Sequence, residues 1–447
     1  MRTYILCITK YIIILKLKMS IVLHKAAQVC YNSTAIGRYP DKIYKDEWYM
    51  EKTSVRWTIR YTLLNVAYFA AFCTIHAYAA VYLLSKGFNN TEVGVLLAVA
   101  NILSAVLQPV IAGIIDKPGW LSNRRFIMIS VLVILAGSLI LMFTNDNKLV
   151  IFAVYVIIYM IQFAYQPVMT ALCFEYRKAG CGIYYGLARG LGSASFAFTS
   201  MFIGRIVEDN GVGILLWVNI VTMVISVLII LIFRKPRGSE EIGNESTAVK
   251  TNNGFVHFIR SYPAFTLFLV GTVCFYFAHN MINDFMIQII RNLGGNETEL
   301  GYANFLQAIL ELPVMALIGI VLKKISAEKL LVISGIAFFI KILILVFAKG
   351  MPHMYISQSF QLFAYAVFIP AGAYYVSKTM EETDQVKGQA FITSAITIGG
   401  VFSNLISGVI LDHSDIKTML LTGSAVCAVG VVIAVIAMTK LPHYKKH

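Results

Sequence analysis

Apolar residues run in blocks of about twenty along this chain, each closed by a short polar break. At 1.5 Å per helical residue, such a block matches the roughly 30 Å of hydrocarbon in a bilayer. Twelve blocks are legible. The first six lie near 59–85, 91–115, 126–144, 149–174, 182–206 and 211–233. The second six lie near 263–290, 299–322, 329–348, 353–377, 387–411 and 416–439. Between the sets stands "RKPRGSEEIGNESTAVKTNNGF", a polar stretch containing Gly, Ser and Asn that reads as a linker over 235–260. The pattern predicts an all-α integral membrane protein of twelve transmembrane helices, with one six-helix bundle over 50–234 and another over 261–447.

The halves echo each other. "NNTEVG" (89–94) opens the second span and "NETELG" (296–301) opens the eighth. Each is followed by polar residues three and then four apart, which places them on one helix face. In the second span these are Asn101, Ser104 and Gln108, and in the eighth Asn304, Gln307 and Glu311. The two registers differ by about one helical turn. Two pseudo-symmetric six-helix bundles are a transporter architecture, with the solute site expected at their interface near the midplane.

Residues 1–49 fit no span, because "YIIILKLKMSIVL" is too short and too interrupted by Lys. They are expected either to precede the true start, with Met50 opening a short lead into the first span, or to form an interfacial anchor.

Composition narrows the function class. Of 447 residues 58% are hydrophobic and only 13% charged, which a soluble core cannot accommodate. The net charge of +14 does not point to nucleic acid, because the basic residues are spread over short loops. The loops after spans 2, 4, 6, 8 and 10, with the C-terminus, hold roughly eighteen Lys and Arg against about six on the other side. That bias predicts two cytoplasmic termini in the cell membrane. The seven cysteines are scattered, mostly within apolar runs, and read as small hydrophobes. No metal or cofactor is expected.

Ionisable groups inside a membrane are costly and need a partner or a wet cavity. Glu311 stands ten residues inside the eighth span, about 15 Å deep. Lys341 stands about as deep in the ninth, so the two are expected as counter-ions. They read either as a solute or coupling site, or as a structural pair with Lys341 reaching towards its outer end. Arg189 lies in "YYGLARGLGSASFAF", a helix of small residues, and reads either as a donor fork for a solute or as a tie to Glu175. In the seventh span His279 pairs with Asn283 and Asn280 with Asp284, each four apart, and Asp284 is expected near the outer surface. The tenth span adds Gln358, Gln361 and Tyr365. Amides beside aromatics suit a sugar or a nucleobase, although Tyr is also ordinary helix packing.

The loop "GIIDKPGWLSNRR" (113–125), placed after the second of twelve spans, resembles the major facilitator superfamily. Gly113, Asp116, Lys117, Gly119, Arg124 and Arg125 follow that family's loop pattern, while Pro118 and a longer insertion depart from it. The resemblance covers about 55–440 and implies a gating role for the loop, its acidic residue locking the outward-facing state. More narrowly, "YYGLARGLGS" and "AILELPVM" are similar to the lactose permease-like branch of sugar and nucleoside proton symporters. This matches Arg189 to that branch's substrate-binding arginine and Glu311 to its helix 8 glutamate, with Lys341 where the branch usually has Arg. Gln361 and Ala364 stand where the branch has His and an acid, and Thr170 where it has a helix 4 carboxyl. Those departures leave the coupling ion and solute open.

The expected function is a secondary transporter for a small polar, sugar- or nucleoside-like solute, driven by protons or by the solute gradient and acting as a monomer. A multidrug exporter of the same fold is the alternative, favoured by 17 Met and 28 Phe. A membrane enzyme or receptor fits less well, because no nucleotide loop, metal-ligand pair or nucleophile elbow appears.

Overall fold

The computed structural model describes residues 41–115, 119–144, 147–235 and 255–439. Asp116 and Lys117, the greater part of the linker and residues 1–40 lie outside them. Among the described residues, those from 54 onwards form one compact unit, and residues 41–53 fall outside it.

The described chain is helical throughout, without strands. Span 1 comprises α1 (Asp41–Phe72), a π-helical segment (Cys73–Ala77) and α2 (Ala79–Ser85). Spans 2 to 6 are α3 (Asn90–Ile115), α4 (Asn123–Phe143), α5 (Lys148–Lys178), α6 (Tyr185–Asn210) and α7 (Gly213–Ile232). A short α8 (Phe255–Ser261) leads into span 7, which is split into α9 (Pro263–Asp284) and α10 (Met286–Asn292). Spans 8 and 9 are α11 (Glu297–Val321) and α12 (Ala327–Val346). Span 10 consists of α13 (Met351–Ser359), a 3₁₀ turn (Phe360–Leu362) and α14 (Tyr365–Thr379). Spans 11 and 12 are α15 (Glu382–His413) and α16 (Ile416–Thr439). Eleven of these spans are long and apolar enough to cross a membrane, and the 25-residue α11 completes the twelve.

Local chemistry sets the ends. Asn147 accepts hydrogen bonds from the amides of Leu149 and Val150 and so caps α5, while Asn296 and Glu299 form a capping box at the start of α11. Arg124 donates to the carbonyls of Ile230 (3.1 and 2.9 Å) and Phe233 (2.9 Å) at the C-terminal end of span 6, which the Phe233 amide and the Tyr176 hydroxyl also reach. Arg125 donates to the Trp120 carbonyl. Spans 3, 6, 9 and 12 turn apolar faces outwards, with Leu132, Leu228, Ile333 and Val432 all exposed. In a bilayer that surface meets acyl chains.

Spans 1, 7 and 10, expected to be continuous, are interrupted. Hydropathy does not reveal the breaks, because they replace backbone hydrogen bonds with side-chain ones and leave the apolar run intact. In span 1 Tyr155 donates to the Ile75 carbonyl (2.6 Å), and Asn219 Nδ2 reaches the Ala71 carbonyl and Thr74 Oγ1, both at 3.3 Å. Ser138 holds the other end of that amide, donating to Asn219 Oδ1 at 3.0 Å. In span 10 Ser334 Oγ donates to the Ala364 carbonyl at 2.7 Å. Irregular backbone survives at membrane depth only where protein re-satisfies it in this way.

The halves meet along two seams, span 2 against span 11 and span 5 against span 8. The backbones touch there. A methyl group added to Gly94 would fall 2.1 Å from the Asn404 carbonyl oxygen, and one on Gly301 2.5 Å from that of Ser200. Both glycines are the last residue of the echoed hexapeptides, so the sequence repeat marks the seams.

Asn219→Ala should cost about 1–2 kcal/mol of stability, since it removes a fully buried amide that bridges spans 1, 3 and 6. Thr222→Ala, which loses only bonds within its own helix, should cost less than about 0.5 kcal/mol. Thermal unfolding in detergent compares the two.

Candidate functional site

A cavity of about 970 Å³ lies between the halves. It is lined by spans 1, 2, 4, 5, 7, 8, 10 and 11, with Asn123 at the start of span 3. Ile115, Asn123, Ala171 and Ala390 line one end, beside the loops after spans 2, 4 and 10. The glycine seams shut the other end.

Most of the expected residues converge on this cavity. Span 2 contributes Asn101, Ser104 and Gln108, and span 8 presents Asn304, Gln307 and Glu311 from the other half. The echoed polar faces therefore look into one space. His279, Asn280 and Asn283 join them from span 7, and Tyr365 from span 10. His279 is 5% exposed; its Nε2 lies 2.9 Å from Asn283 Nδ2, and its ring stacks on Tyr365 at 5.6 Å and 20°. Gln307 Nε2 donates to Asn304 Oδ1 at 3.2 Å. Asp284, expected near the outer surface, also lines the cavity, so Glu311 is not its only carboxyl.

The expected direct pair of Glu311 and Lys341 does not form. Gln361 stands between them. Lys341 Nζ donates to Gln361 Oε1 at 2.8 Å, and Gln361 Nε2 donates to Glu311 Oε1 at 2.9 Å. The amide dipole thus points its oxygen at the ammonium and its nitrogen at the carboxylate, the favourable sense at both ends. The break in span 10 places Gln361 there, because it sits in the 3₁₀ turn where a straight helix would carry it elsewhere. Lys341 is fully buried and does not line the cavity, and Ser357 donates to its carbonyl at 2.7 Å. Snorkelling is therefore overturned. Gln358 is likewise buried behind the wall, its amide against Met354 Sδ at 3.9 Å.

Arg189 lines the cavity, packed over the Phe69 ring at 4.3 Å and donating to Ser193 Oγ at 2.6 Å. It is not tied to Glu175, which instead holds Lys235 (2.7 Å) and Asn123 (2.8 Å). Of the loop residues, Gly113 lies inside α3, while Arg124 and Arg125 bond to backbone carbonyls as above. The gating expectation for Asp116 and Lys117 falls outside the described residues.

Sequence reading missed the aromatic wall. His76, in the π-helical segment, lies against Phe72 at 3.8 Å and 13°, near Tyr159 (3.9 Å) and edge-on to Phe163 (4.6 Å), and all four line the cavity. The only signal was a histidine in an apolar run, which is usually packing. Six wall residues also keep at least one buried atom without a protein hydrogen bond: both ring nitrogens of His76, the Tyr276 hydroxyl, His279 Nδ1, Asn283 Oδ1, Asn304 Nδ2 and Gln307 Oε1. Buried polar atoms normally find partners, and these have none within the protein.

If Gln361 bridges the two charges, Gln361→Leu should destabilise the protein by about 3 kcal/mol or more, by leaving Lys341 buried and uncompensated. Lys341→Met should cost less, and the Gln361→Leu/Lys341→Met pair should recover most of the loss. Melting midpoints of the three variants test this, and simple additivity would contradict it.

The MFS_1 like family matches residues 58–422. Among solved structures, a mutant of the nucleoside transporter NupG superposes with a TM-score of 0.75 at 14% identity, covering 86% of this chain and all of that one. An auto-inhibited peptide transporter of the POT family gives 0.68 at 10% identity, covering 88% and 98%. An inward-facing, unoccupied bacterial homologue of the human lysosomal transporter Spinster gives 0.57 at 15%, covering 86% and 95%. No curated protein sequence matches. With two six-helix bundles, an interfacial cavity and a family match over most of its length, the chain belongs to the MFS_1 like family of the major facilitator superfamily.

Proposed function

We propose that this protein is a secondary transporter that moves a small polar, sugar- or nucleoside-like solute by alternating access, with Glu311 as its coupling carboxylate. The observation that carries this reading is Glu311, facing the cavity from mid-membrane and tied through Gln361 to a lysine behind the wall. A carboxylate so placed has no need of that cavity for a purely structural pairing.

The lining suits such a solute. The aromatic wall of spans 1 and 4 offers flat apolar faces, and spans 7 and 8 offer amides and an imidazole with free hydrogen-bonding atoms. A ring with one stacking face and one polar edge satisfies both. Arg189 on the wall and Lys341 behind it stand against Asp284 and Glu311, a set of both signs that suits a neutral or zwitterionic solute. NupG, a nucleoside transporter, has the same fold and fits this class. Gln361 cannot exchange a proton, so proton coupling would fall to Glu311 and Asp284.

The Lys/Arg bias puts the loops after spans 2, 4 and 10 in the cytoplasm, which makes the arrangement inward-open in the cell membrane. The multidrug-exporter reading draws on the same aromatic wall, but the free polar atoms on spans 7 and 8 weigh against it.

Uptake into reconstituted vesicles of labelled sugars and nucleosides, with and without a pH gradient, tests the proposal. At least one solute should accumulate. Glu311→Gln should lose gradient-driven accumulation yet keep solute exchange, because exchange needs no net proton step. Undiminished accumulation by Glu311→Gln would remove the coupling role, and a response only to bulky apolar cations would favour the exporter.

A further inference from the structure

The two seams that close the outer end of the cavity share one device. At the seam of spans 2 and 11, the Asp412 carboxylate accepts hydrogen bonds from the Asn90 amide (3.1 Å), Asn90 Nδ2 (2.9 Å) and the Thr91 amide (2.7 Å). At the seam of spans 5 and 8, the Glu208 carboxylate accepts from Asn296 Nδ2 and Thr298 Oγ1. In each case the last turn of one half's helix places a carboxylate on the first turn of the other half's helix. The spacing repeats as well. Asp412, Gly408 and Asn404 lie four apart on span 11, as Glu208, Gly204 and Ser200 do on span 5. The middle glycine of each series meets a backbone carbonyl of the opposing helix start, that of Asn90 or Glu297.

We propose that Glu208 and Asp412 are paired latches, each bonded across its seam only while this end is shut, and that together they bias the protein towards the conformation open at the opposite end. The proposal rests on the alternating-access reading. Asp412 takes backbone N–H groups at a helix start that also carries a partial positive charge, whereas Glu208 takes two side-chain donors at a start already capped by Asn296 and Glu299, and both sets of bonds are separable. Both carboxylates are exposed, so water takes over when the seam parts and each latch acts as a bias instead of a lock. Gln288 strengthens the first seam, donating to Asn90 Oδ1 at 3.0 Å. Neither carboxylate lines the cavity, so each shifts the conformational equilibrium without touching solute.

Losing one such hydrogen-bonded carboxylate shifts a two-state equilibrium about fivefold, and two independent ones about twenty-five-fold together. Spin labels on Leu149→Cys and Lys417→Cys, exposed on opposite halves at this end, report its opening as a distance by pulsed electron paramagnetic resonance. Glu208→Ala and Asp412→Ala should each raise the long-distance population about fivefold relative to the parent, and the double variant by about the product. Asp412→Asn, which keeps an acceptor oxygen, should fall back towards the parent ratio. Variants that remain folded, by melting in the same detergent, with an unmoved ratio would overturn the latch; two populations in the parent would then leave alternating access standing. A single closed population in the parent and every variant would overturn both.

Discussion

Hydrocarbon offers no hydrogen bonds, so every polar group that leaves a regular helix inside the membrane has to be met by the protein itself. The site depends on this constraint. The π-helical segment of span 1 turns His76 into the cavity, and it persists because Asn219 and Tyr155 take up the carbonyls and hydroxyl of residues 71–75. The 3₁₀ turn of span 10 sets Gln361 between two charges, and just beyond it Ser334 adds a second hydrogen bond to the Ala364 carbonyl, which the Phe368 amide also reaches. Remove Asn219 and Tyr155 and the π-helical segment loses the side-chain bonds that hold it.

The two halves use the constraint differently. Their seams are nearly symmetric, down to the glycines and the capping carboxylates. Their cavity walls are not. Both halves offer amides, a histidine and aromatic rings, but Arg189 comes from the N-terminal half and both carboxylates, Asp284 and Glu311, come from the C-terminal half. A pseudo-symmetric frame thus carries an asymmetric lining, the division that the proposed alternating access would use. Gln361 fits this division. As a neutral dipole it holds Glu311 to Lys341 without a titrating group of its own, which keeps the lysine behind the wall and the carboxylate in front of it.

Much of this was legible in the sequence. Twelve apolar blocks gave the spans, and the polar triplets at helical spacing gave the faces that meet in the cavity. "NNTEVG" and "NETELG" proved to be helix starts at the seams. Glu311 betrayed itself by depth alone, since a carboxyl fifteen ångströms inside an apolar run needs a cause. What stayed hidden was tertiary. Periodicity cannot show that span 10 breaks at Phe360, so Gln361 appeared as one more polar residue and Lys341 as a direct partner. The carboxylates Glu208 and Asp412 lie at span ends, where charge is ordinary, and only their partners in the other half make them notable. His76 sits in an apolar run with nothing in the sequence to single it out, and only its neighbours mark it as cavity wall.

Alternating exposure of the cavity is the central claim, and thiol labelling at its wall tests it most directly. The described native cysteines are buried or half-buried, which keeps the background low. A Gln307→Cys variant, treated with a membrane-impermeant reagent in right-side-out and in inverted vesicles, reads which face reaches the site. The account predicts fast labelling from the face of the loops after spans 2, 4 and 10, and slower but complete labelling from the other. Labelling from one face only, however long the exposure, would contradict it.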